Sequence, residues 1–258
     1  MRRHLIIPDT QVRPGCDTTH FDWLAQCILE YRPDVVVHLG DHWDLPSLST
    51  HDAPGSKEAE GRRVKPDIDA GNDAWLRFWK PVDNRIRKTH AGHKKRWKPE
   101  LHFLFGNHEN RLTRAIFRDP KWEGLLGLEC LQTPGFQRHD FLSIVRIDGI
   151  RYCHYFANPF SGKAIGGTIQ NRLSKIGGTF CHGHQQGRLY GSVQYPDHVA
   201  HGLVVGSFYL HDEHYRSADV QASEWRGIVV LNEVRDHHGC ADFDPMFLSM
   251  DYLRRKYA

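Results

Sequence analysis

Short apolar runs rich in β-branched residues alternate with helical patterns along the first part of the chain. Residues 5–7 and 35–39 form two such runs, and between them apolar residues recur at helical spacing over residues 21–31. The first run breaks at Pro8-Asp9 and the second at Gly40-Asp41. Strands that alternate with helices build parallel sheets with helices packed on the faces. The chain is therefore predicted to be an α/β protein that opens with a βαβ unit.

The middle of the chain extends this pattern. Apolar residues at helical spacing over 75–86 precede a third strand-like run at 101–105. Pro81 lies within the helical stretch and is expected to kink or split it. Residues 46–66 are polar and contain several prolines and glycines, which predicts an inserted loop.

The back half of the chain changes to shorter runs. Asp148-Gly149 separates two strand-like stretches and predicts a hairpin. A helix is expected near residues 163–175, with strand-like runs at 179–181, 203–205 and 227–234. We expect one domain over residues 1–258, with the strands of residues 187–258 completing a second sheet.

Composition excludes several classes of protein. The net charge of the 258 residues is +3, too small to indicate a nucleic-acid or membrane partner by itself. No apolar run approaches the ~20 residues of a membrane helix, and the run after Arg2-Arg3 is too short for a signal peptide. The six cysteines show no C-x-x-C spacing. We expect a cytoplasmic protein with reduced thiols and no membrane contact.

Polar residues of one chemical kind follow the strand-like runs. Residues 9–11, 40–44 and 106–109 close the first three runs, His154 ends the hairpin, and residues 182–186 follow the next strand. In open α/β sheets, ligands bind outside the carboxyl ends of the strands, so these segments should converge. Asp, Asn and His together suit manganese, iron or zinc better than calcium.

The order of these segments resembles that of the calcineurin-like metallophosphoesterase family. The matching stretches are D-x-Q at 9–11, G-D-x-x-D at 40–44, G-N-H-E at 106–109, His154, and G-H-x-Q at 183–186. The resemblance implies a four-layer α/β sandwich of two mixed β-sheets flanked by helices. It also implies a phosphoesterase with two divalent metal ions, in which a hydroxide that bridges the metals attacks phosphorus in line.

The resemblance also implies roles for individual residues. The implied metal ligands are Asp9, Gln11 and Gln186 for the first ion, Asp41 between the two ions, and Asn107, His154 and His184 for the second. His108 would donate a proton to the leaving oxygen, and Asp44 would orient the His108 imidazole. Arg111 and Arg188 closely follow two of these motifs and are expected to contact the phosphate.

Two positions depart from the family pattern. Gln11 and Gln186 stand where the family usually has histidine, and both fall on the first metal. Since an amide oxygen is a harder ligand than an imidazole nitrogen, we expect a weaker first site that favours manganese or magnesium over zinc. Manganese is the expected metal at both sites, with magnesium, iron, nickel and zinc as alternatives. In another alignment His182 pairs with His184, but the alignment adopted here preserves the Gly183-His184 step.

Several functions remain open at this level. We expect a phosphodiesterase, with a nuclease favoured over a nucleotide diesterase, similar to the phage and bacterial nuclease-like branch of the family. A phosphomonoesterase or phosphoprotein phosphatase is an alternative, although Leu45-Pro46 stands where protein phosphatases carry Arg-Gly. Another is a non-catalytic binding module with a decayed first metal site. The basic segment 85–98 precedes the third run at its amino end, so we interpret it as a solvated surface.

Overall fold

The computed structural model describes residues 1–50, 60–91, 97–212, 217, 219, 221 and 223–258. Over these residues the strands form one sheet of six strands and one of five. The strands are β1 (Arg2–Ile7), β2 (Val35–His38), β3 (Glu100–Leu104), β4 (Gln137–His139), β5 (Val145–Ile147), β6 (Ile150–Cys153), β7 (Phe180–His182), β8 (Arg188–Gln194), β9 (Val199–Val205), β10 (Gly227–His237) and β11 (Cys240–Ser249). The helices are α1 (His20–Tyr31), α2 (Val64–Ala91), α3 (Asn110–Arg118), α4 (Ile169–Ile176) and α5 (Met250–Tyr257).

The first sheet has the strand order β11-β10-β1-β2-β3-β4. Its strands β1 to β4 are parallel, whereas β10 runs antiparallel to β1. The second sheet has the order β5-β6-β7-β9-β8, with β6, β7 and β9 parallel. Both sheets are therefore mixed, and each has a parallel centre whose carboxyl ends lie at one edge.

Three apolar cores separate four layers. Helices α1 and α2 cover the outer face of the first sheet, where Phe21 and Trp75 are fully buried. Val37 and Tyr152 pack between the two sheets, and α4 covers the outer face of the second sheet with Leu173. Because both faces of the central strands are buried, these strands are continuous apolar runs in the sequence. The predicted four-layer α/β sandwich is confirmed.

The strands of the C-terminal region divide between the two sheets. We expected residues 187–258 to complete the second sheet, and β8 and β9 do join it. However, β10 and β11 belong to the first sheet, because β10 pairs with β1 and places Val229 opposite Ile6. Both residues are fully buried between the sheets, so this pairing extends the central core.

Three local expectations also need correction. Within 46–66, Pro46–Leu48 is a short 3-10 helix and α2 already begins at Val64, while residues 51–59 lie outside the described residues. Pro81 does not split the helix, because α2 continues through it, while the expected kink stays a prediction. Helix α4 begins only at Ile169, where the Thr168 side chain accepts a hydrogen bond from the Asn171 N–H.

Residues 85–91 of the basic segment form the end of α2, and residues 92–96 lie outside the described residues. Among the helices of the described residues, none has the length and apolar character to cross a bilayer. The six cysteines are all free thiols.

Candidate active site

The carboxyl ends of parallel strands from both sheets meet at one place. Asp9 follows β1, Asp41 follows β2 and Asn107 follows β3, all in the first sheet. From the second sheet, His154 directly follows β6 and His184 follows β7. The site thus takes residues from both sheets, as expected for ligands at the carboxyl ends of strands.

A compact group of possible metal ligands lies at this junction. In the described part of the chain, Asp41, His154 and His184 offer ligand atoms that all lie within 4.8 Å of one another. His154 Nε2 lies 3.3 Å from Asp41 Oδ2 and 2.9 Å from Asn107 Oδ1. His154 Nδ1 donates to the Leu39 carbonyl oxygen at 2.8 Å, which leaves Nε2 directed at the acidic group. Metal-binding histidines are commonly oriented in this way.

Asp9 is a fully buried carboxylate beside this group. Its Oδ1 accepts a hydrogen bond from the His184 N–H at 3.0 Å, but Oδ2 has no hydrogen-bond partner among the described residues. Burial raises the pKa of Asp9 to about 7, against the opposing charge of His154. An unpaired buried carboxylate oxygen is costly unless a cation compensates it, so the donor set fits a divalent metal ion.

The two glutamines of the first predicted site are also buried. Gln11 donates its backbone N–H to the Asp41 carbonyl oxygen at 2.8 Å. Gln186 accepts a hydrogen bond on Oε1 from the hydroxyl of Tyr209 at 3.2 Å. Tyr209 gave no signal in the sequence, because nothing near it resembles a motif.

His108, Asp44 and Arg111 form a hydrogen-bonded cluster next to Asp41. His108 Nδ1 lies 3.0 Å from the Asp44 carbonyl oxygen and 2.9 Å from Asp44 Oδ1. Because both are acceptors, Nδ1 carries the proton, and Nε2 lies 3.7 Å from Asp41 Oδ2. Arg111 Nη1 donates to the Asp44 carbonyl oxygen at 2.7 Å, and Nη2 lies 3.3 Å from His108 Nε2.

The carboxylate of Glu109 connects two of the site loops. It is fully buried and accepts four backbone N–H groups, from Gly106 at 2.7 Å, Asp41 at 2.9 Å, His42 at 2.6 Å and Trp43 at 3.1 Å. A carboxylate that satisfies four buried donors holds both loops in one geometry. The sequence pattern contained Glu109 but assigned it no role, because three of its four partners are backbone groups 66 to 68 residues away.

The backbone at the site is strained in places. Gln11, Asp41 and His184 have positive φ angles of 39°, 49° and 66°, which non-glycine residues rarely adopt. Glycine is required where the loops meet. A Cβ on Gly40 would lie 2.5 Å from the Leu104 carbonyl oxygen, and one on Gly106 would lie 2.1 Å from Asp41 Oδ1. Backbone strain and close approach of this kind are concentrated at functional sites.

A directed chain of hydrogen bonds lies beneath the first two loops. His42 Nε2 donates to the Gly71 carbonyl oxygen at 2.9 Å, so its Nδ1 accepts from the Thr10 hydroxyl at 2.7 Å. Since the Thr10 proton is thereby used, His38 Nε2 donates to Thr10 at 3.2 Å and His38 Nδ1 accepts the Gly40 N–H. Burial lowers the pKa of both histidines, consistent with two neutral rings.

His182 points away from the metal-ligand group. Its Nδ1 donates to the Gly183 carbonyl oxygen at 2.8 Å, and its Nε2 accepts from Arg172 Nη1 at 2.9 Å. Arg172, which is buried on α4, also donates to Gln185 Oε1 at 2.9 Å. Arg172 therefore fixes the loop that carries His184. The sequence did not indicate this role for a helical arginine.

Arg188 lies at the start of β8, beside two aromatic rings. Its guanidinium lies over the rings of Trp225 at 5.2 Å and Phe247 at 4.6 Å. The phosphate contact expected from its closeness to Gln186 in sequence stays a prediction.

Opposite charges dominate the electrostatics of the site. Burial alone would raise the pKa of Asp41, but the charges of His108 and His154 hold it well below its usual range. Burial lowers the pKa of His108, but Asp41 and Asp44 raise it more, so this pKa lies above its ordinary value. The site therefore stabilises positive charge, whether on an imidazole or on a bound cation.

The metal-free protein is expected to lose stability as the pH rises from about 6.5 to 9. Burial lowers the pKa of His154, but the charge and hydrogen bond of Asp41 raise it, to about 9. The folded state then binds more protons than the unfolded chain, so the stabilisation is complete below pH 6.5 and is lost through pH 9. Thermal unfolding in chelator at the two pH values measures this. His154→Gln should reduce the loss of stability between the two pH values, whereas His237→Gln, on an exposed residue, should not. An equal loss in the wild type and both variants would contradict the role assigned to His154.

Comparison with known proteins agrees with this geometry. The model of the calcineurin-like phosphoesterase family, a family of metal-dependent hydrolases acting on phosphate esters, matches residues 3–228. The chain is also similar to "Gene 54 protein" of Mycobacterium phage D29, 33% identical over 91 residues, and to "Gene 54 protein" of Mycobacterium phage L5, 33% identical over 102 residues. These alignments cover 35% of this chain and 35% of the D29 protein, and 39% of each for the L5 protein, so the matched part spans little more than a third of either relative. Since the family match covers most of its length, the chain belongs to the calcineurin-like phosphoesterase family, whose members require divalent metal ions.

Proposed function

We propose that the chain is a divalent-metal-dependent phosphodiesterase and that its substrate is a nucleic acid. One observation carries this proposal. A histidine held by a carboxylate, His108 with Asp44, lies directly beside the buried metal-ligand group that contains Asp41. A proton donor placed next to a cation site is the arrangement that cleavage of a phosphate ester with a poor leaving group requires.

The ligands of this chain would be shared between two metal ions. The second ion would be held by Asp41, Asn107, His154 and His184, and the first by Asp9, Gln11, Gln186 and the shared Asp41. Bound divalent ions would supply a water of lowered pKa as nucleophile and a clamp on the phosphate oxygens. Because two amide oxygens replace imidazole nitrogens at the first site, we propose that it is the weaker one and that manganese is the working metal.

His108 would act at one defined atom. Its Nδ1–H is held by Asp44, so Nε2 is the nitrogen that would deliver a proton to the leaving oxygen. Burial lowers the pKa of His108, but the charge of Asp41 and the hydrogen bond of Asp44 raise it overall, which favours a proton donor at this position. Arg111 lies within 3.3 Å of the same nitrogen and would contact a phosphate oxygen as the charge on the leaving group develops.

A diester substrate is supported by the loop that follows Asp44. Leu45-Pro46 occupies the position where the related protein phosphatases carry Arg-Gly, and Pro46 begins a 3-10 helix there. The loop itself contributes no arginine at this position, and the guanidinium beside it comes from α3, where Arg111 Nη1 lies 3.3 Å from the Leu45 carbonyl oxygen. The absence of a second arginine at this position supports a diester, which carries one negative charge per phosphate.

Chelator-stripped protein titrated with manganese tests the proposal on bis-p-nitrophenyl phosphate. We expect saturable turnover that rises in two steps, because the two sites differ in affinity, and much slower turnover of p-nitrophenyl phosphate. Asp41→Asn should eliminate turnover, since that residue belongs to both sites. Absence of turnover with manganese and with every other divalent ion tried would reject the enzyme and favour a binding module. A titration with a single step would contradict the proposal that the first site binds manganese more weakly than the second.

A further inference from the structure

A cationic groove leads away from the candidate active site. Its volume is about 240 Å³, and it lies between the 47–50 segment and helix α3. Arg111, Arg114 and Arg118 line it from α3, and hydroxyl residues line the opposite side. The residues described along this groove include no acidic side chain, so its chemistry is that of an anion site.

The three arginines lie on one face of α3. Their spacing of i, i+3 and i+7 places them in a row, and Arg118 lies about 10 Å beyond Arg111 along the helix axis. Arg111 contacts Asp44 and His108, so the row begins at the reacting groups. In contrast, Arg114 and Arg118 are exposed and form no ion pair with any other described residue.

An exposed aromatic side chain accompanies the row. Phe117 is 88% exposed, and it lies three residues after Arg114 and is therefore its neighbour on the helix surface. A phenylalanine this exposed gains nothing from the core of its own chain. Arginines that follow a phosphate backbone, together with an aromatic ring on which a base can stack, are the elements of a single-strand binding surface.

We propose that this α3 surface, made of Arg114, Phe117 and Arg118, binds the nucleic-acid strand beyond the scissile phosphate. This inference rests on the proposed function and adds the path of the substrate to it. Arg118 lies about 10 Å beyond Arg111 along α3, which exceeds the ~3.4 Å rise per nucleotide of a duplex strand, so the arginines would contact phosphates beyond the scissile one. Phe117 would stack on a base.

A simpler interpretation is that Arg118 only complements the helix dipole at the end of α3. This interpretation does not account for Arg114 in the middle of the helix, for Phe117, or for the absence of acidic residues along the described groove. The chain also provides a matched control. Arg85 and Lys88 form an exposed pair in the last turns of α2, which in sequence precedes the amino end of β3, whereas the active site lies at the carboxyl ends of the strands.

The test compares Arg114→Ala/Arg118→Ala with Arg85→Ala/Lys88→Ala, both of which lower the net charge by two. Binding of a fluorescein-labelled oligothymidylate with phosphorothioate linkages, which slow cleavage, is followed by anisotropy on manganese-loaded protein. We expect the Kd of the α3 variant to rise about tenfold or more at moderate salt, and the control to stay within about twofold. The slope of log Kd against log salt should fall by about 1.4 in the α3 variant, from about 0.7 for each lost phosphate contact. Phe117→Ala should weaken binding about fivefold or more with the salt slope unchanged.

Equal weakening in the α3 variant and its control would overturn the proposal, because it would show a response to net charge alone. So would an intact affinity in the α3 variant, or failure of the wild-type protein to bind the oligonucleotide. Binding is measured without turnover, whereas hydrolysis of bis-p-nitrophenyl phosphate by the wild type tests the proposed function separately. If the wild type hydrolyses the diester but the α3 variant binds the oligonucleotide normally, the proposed binding surface is rejected and the catalytic function stands. If the α3 variant binds more weakly but the wild type shows no turnover, the catalytic function is rejected and the binding surface stands.

Discussion

His108→Ala is expected to lower turnover of a diester with an alkoxide leaving group by about 100-fold or more. The imidazole Nε2 would protonate the leaving oxygen, and among the described side chains Arg111 is the other donor near that nitrogen, at 3.3 Å. Metal affinity should change little, because His108 contacts Asp41 mainly through charge, at 3.7 Å. Steady-state kinetics on an oligonucleotide and calorimetric titration with manganese measure the two effects.

The leaving group provides the control for this prediction. p-Nitrophenolate departs without a proton, so the same variant should lose far less activity on bis-p-nitrophenyl phosphate. Asp44→Asn should also slow the alkoxide diester more than bis-p-nitrophenyl phosphate, but by a smaller factor, because it disturbs the orientation of the imidazole and does not remove it. If His108→Ala slowed both substrates equally, His108 would be a structural or metal-positioning residue and not the proton donor.

Glu109→Ala is expected to have the largest effect on stability, with a loss of at least about 3 kcal/mol. The substitution leaves four buried backbone N–H groups without their acceptor, and each unsatisfied buried donor costs about 1–3 kcal/mol. The loops that carry Asp41 and Asn107 would separate, so manganese affinity should fall as well. Denaturant unfolding measures the first effect and calorimetry the second.

Two further variants make the result specific. Glu109→Gln keeps the shape but presents an NH₂ group to donors, so it should remain strongly destabilising, which a purely steric role would not produce. Glu123→Ala, on an exposed residue, should unfold within about 0.5 kcal/mol of the wild type. A Glu109→Gln protein of wild-type stability would contradict the role assigned to this carboxylate.

Much of the architecture could be predicted because its causes are local. The run at 35–39 is apolar except for His38, all five residues are buried, and the run ends at Gly40-Asp41 where the chain turns. Parallel strands place such endings at one edge, so the meeting of Asp41, His154 and His184 follows from the order of the elements.

The remaining features depend on contacts between distant parts of the chain. Neither the pairing of β10 with β1 nor the packing of Arg188 on Trp225 leaves a local pattern, because both join segments that are distant in sequence. Glu109 and Arg172 act on backbone or loop groups of other segments, so their roles become visible only in three dimensions. Sequence spacing indicates where ligands end up, whereas the groups that hold those ligands in place are selected by the tertiary fold.

The candidate metal ligands come from both sheets, so an ion bound by them would cross-link the sheets. Asp41 and Asn107 belong to the first sheet and His154 and His184 to the second, so an ion coordinated by all four would join the two halves across the central core. Binding to the folded state alone then adds RT ln(1 + [M]/Kd) to the free energy of unfolding. Metal supply would thus govern the stability of the folded chain as well as its turnover, and because the first site is proposed to be the weaker one, scarcity of the ion would lower turnover before it lowered stability.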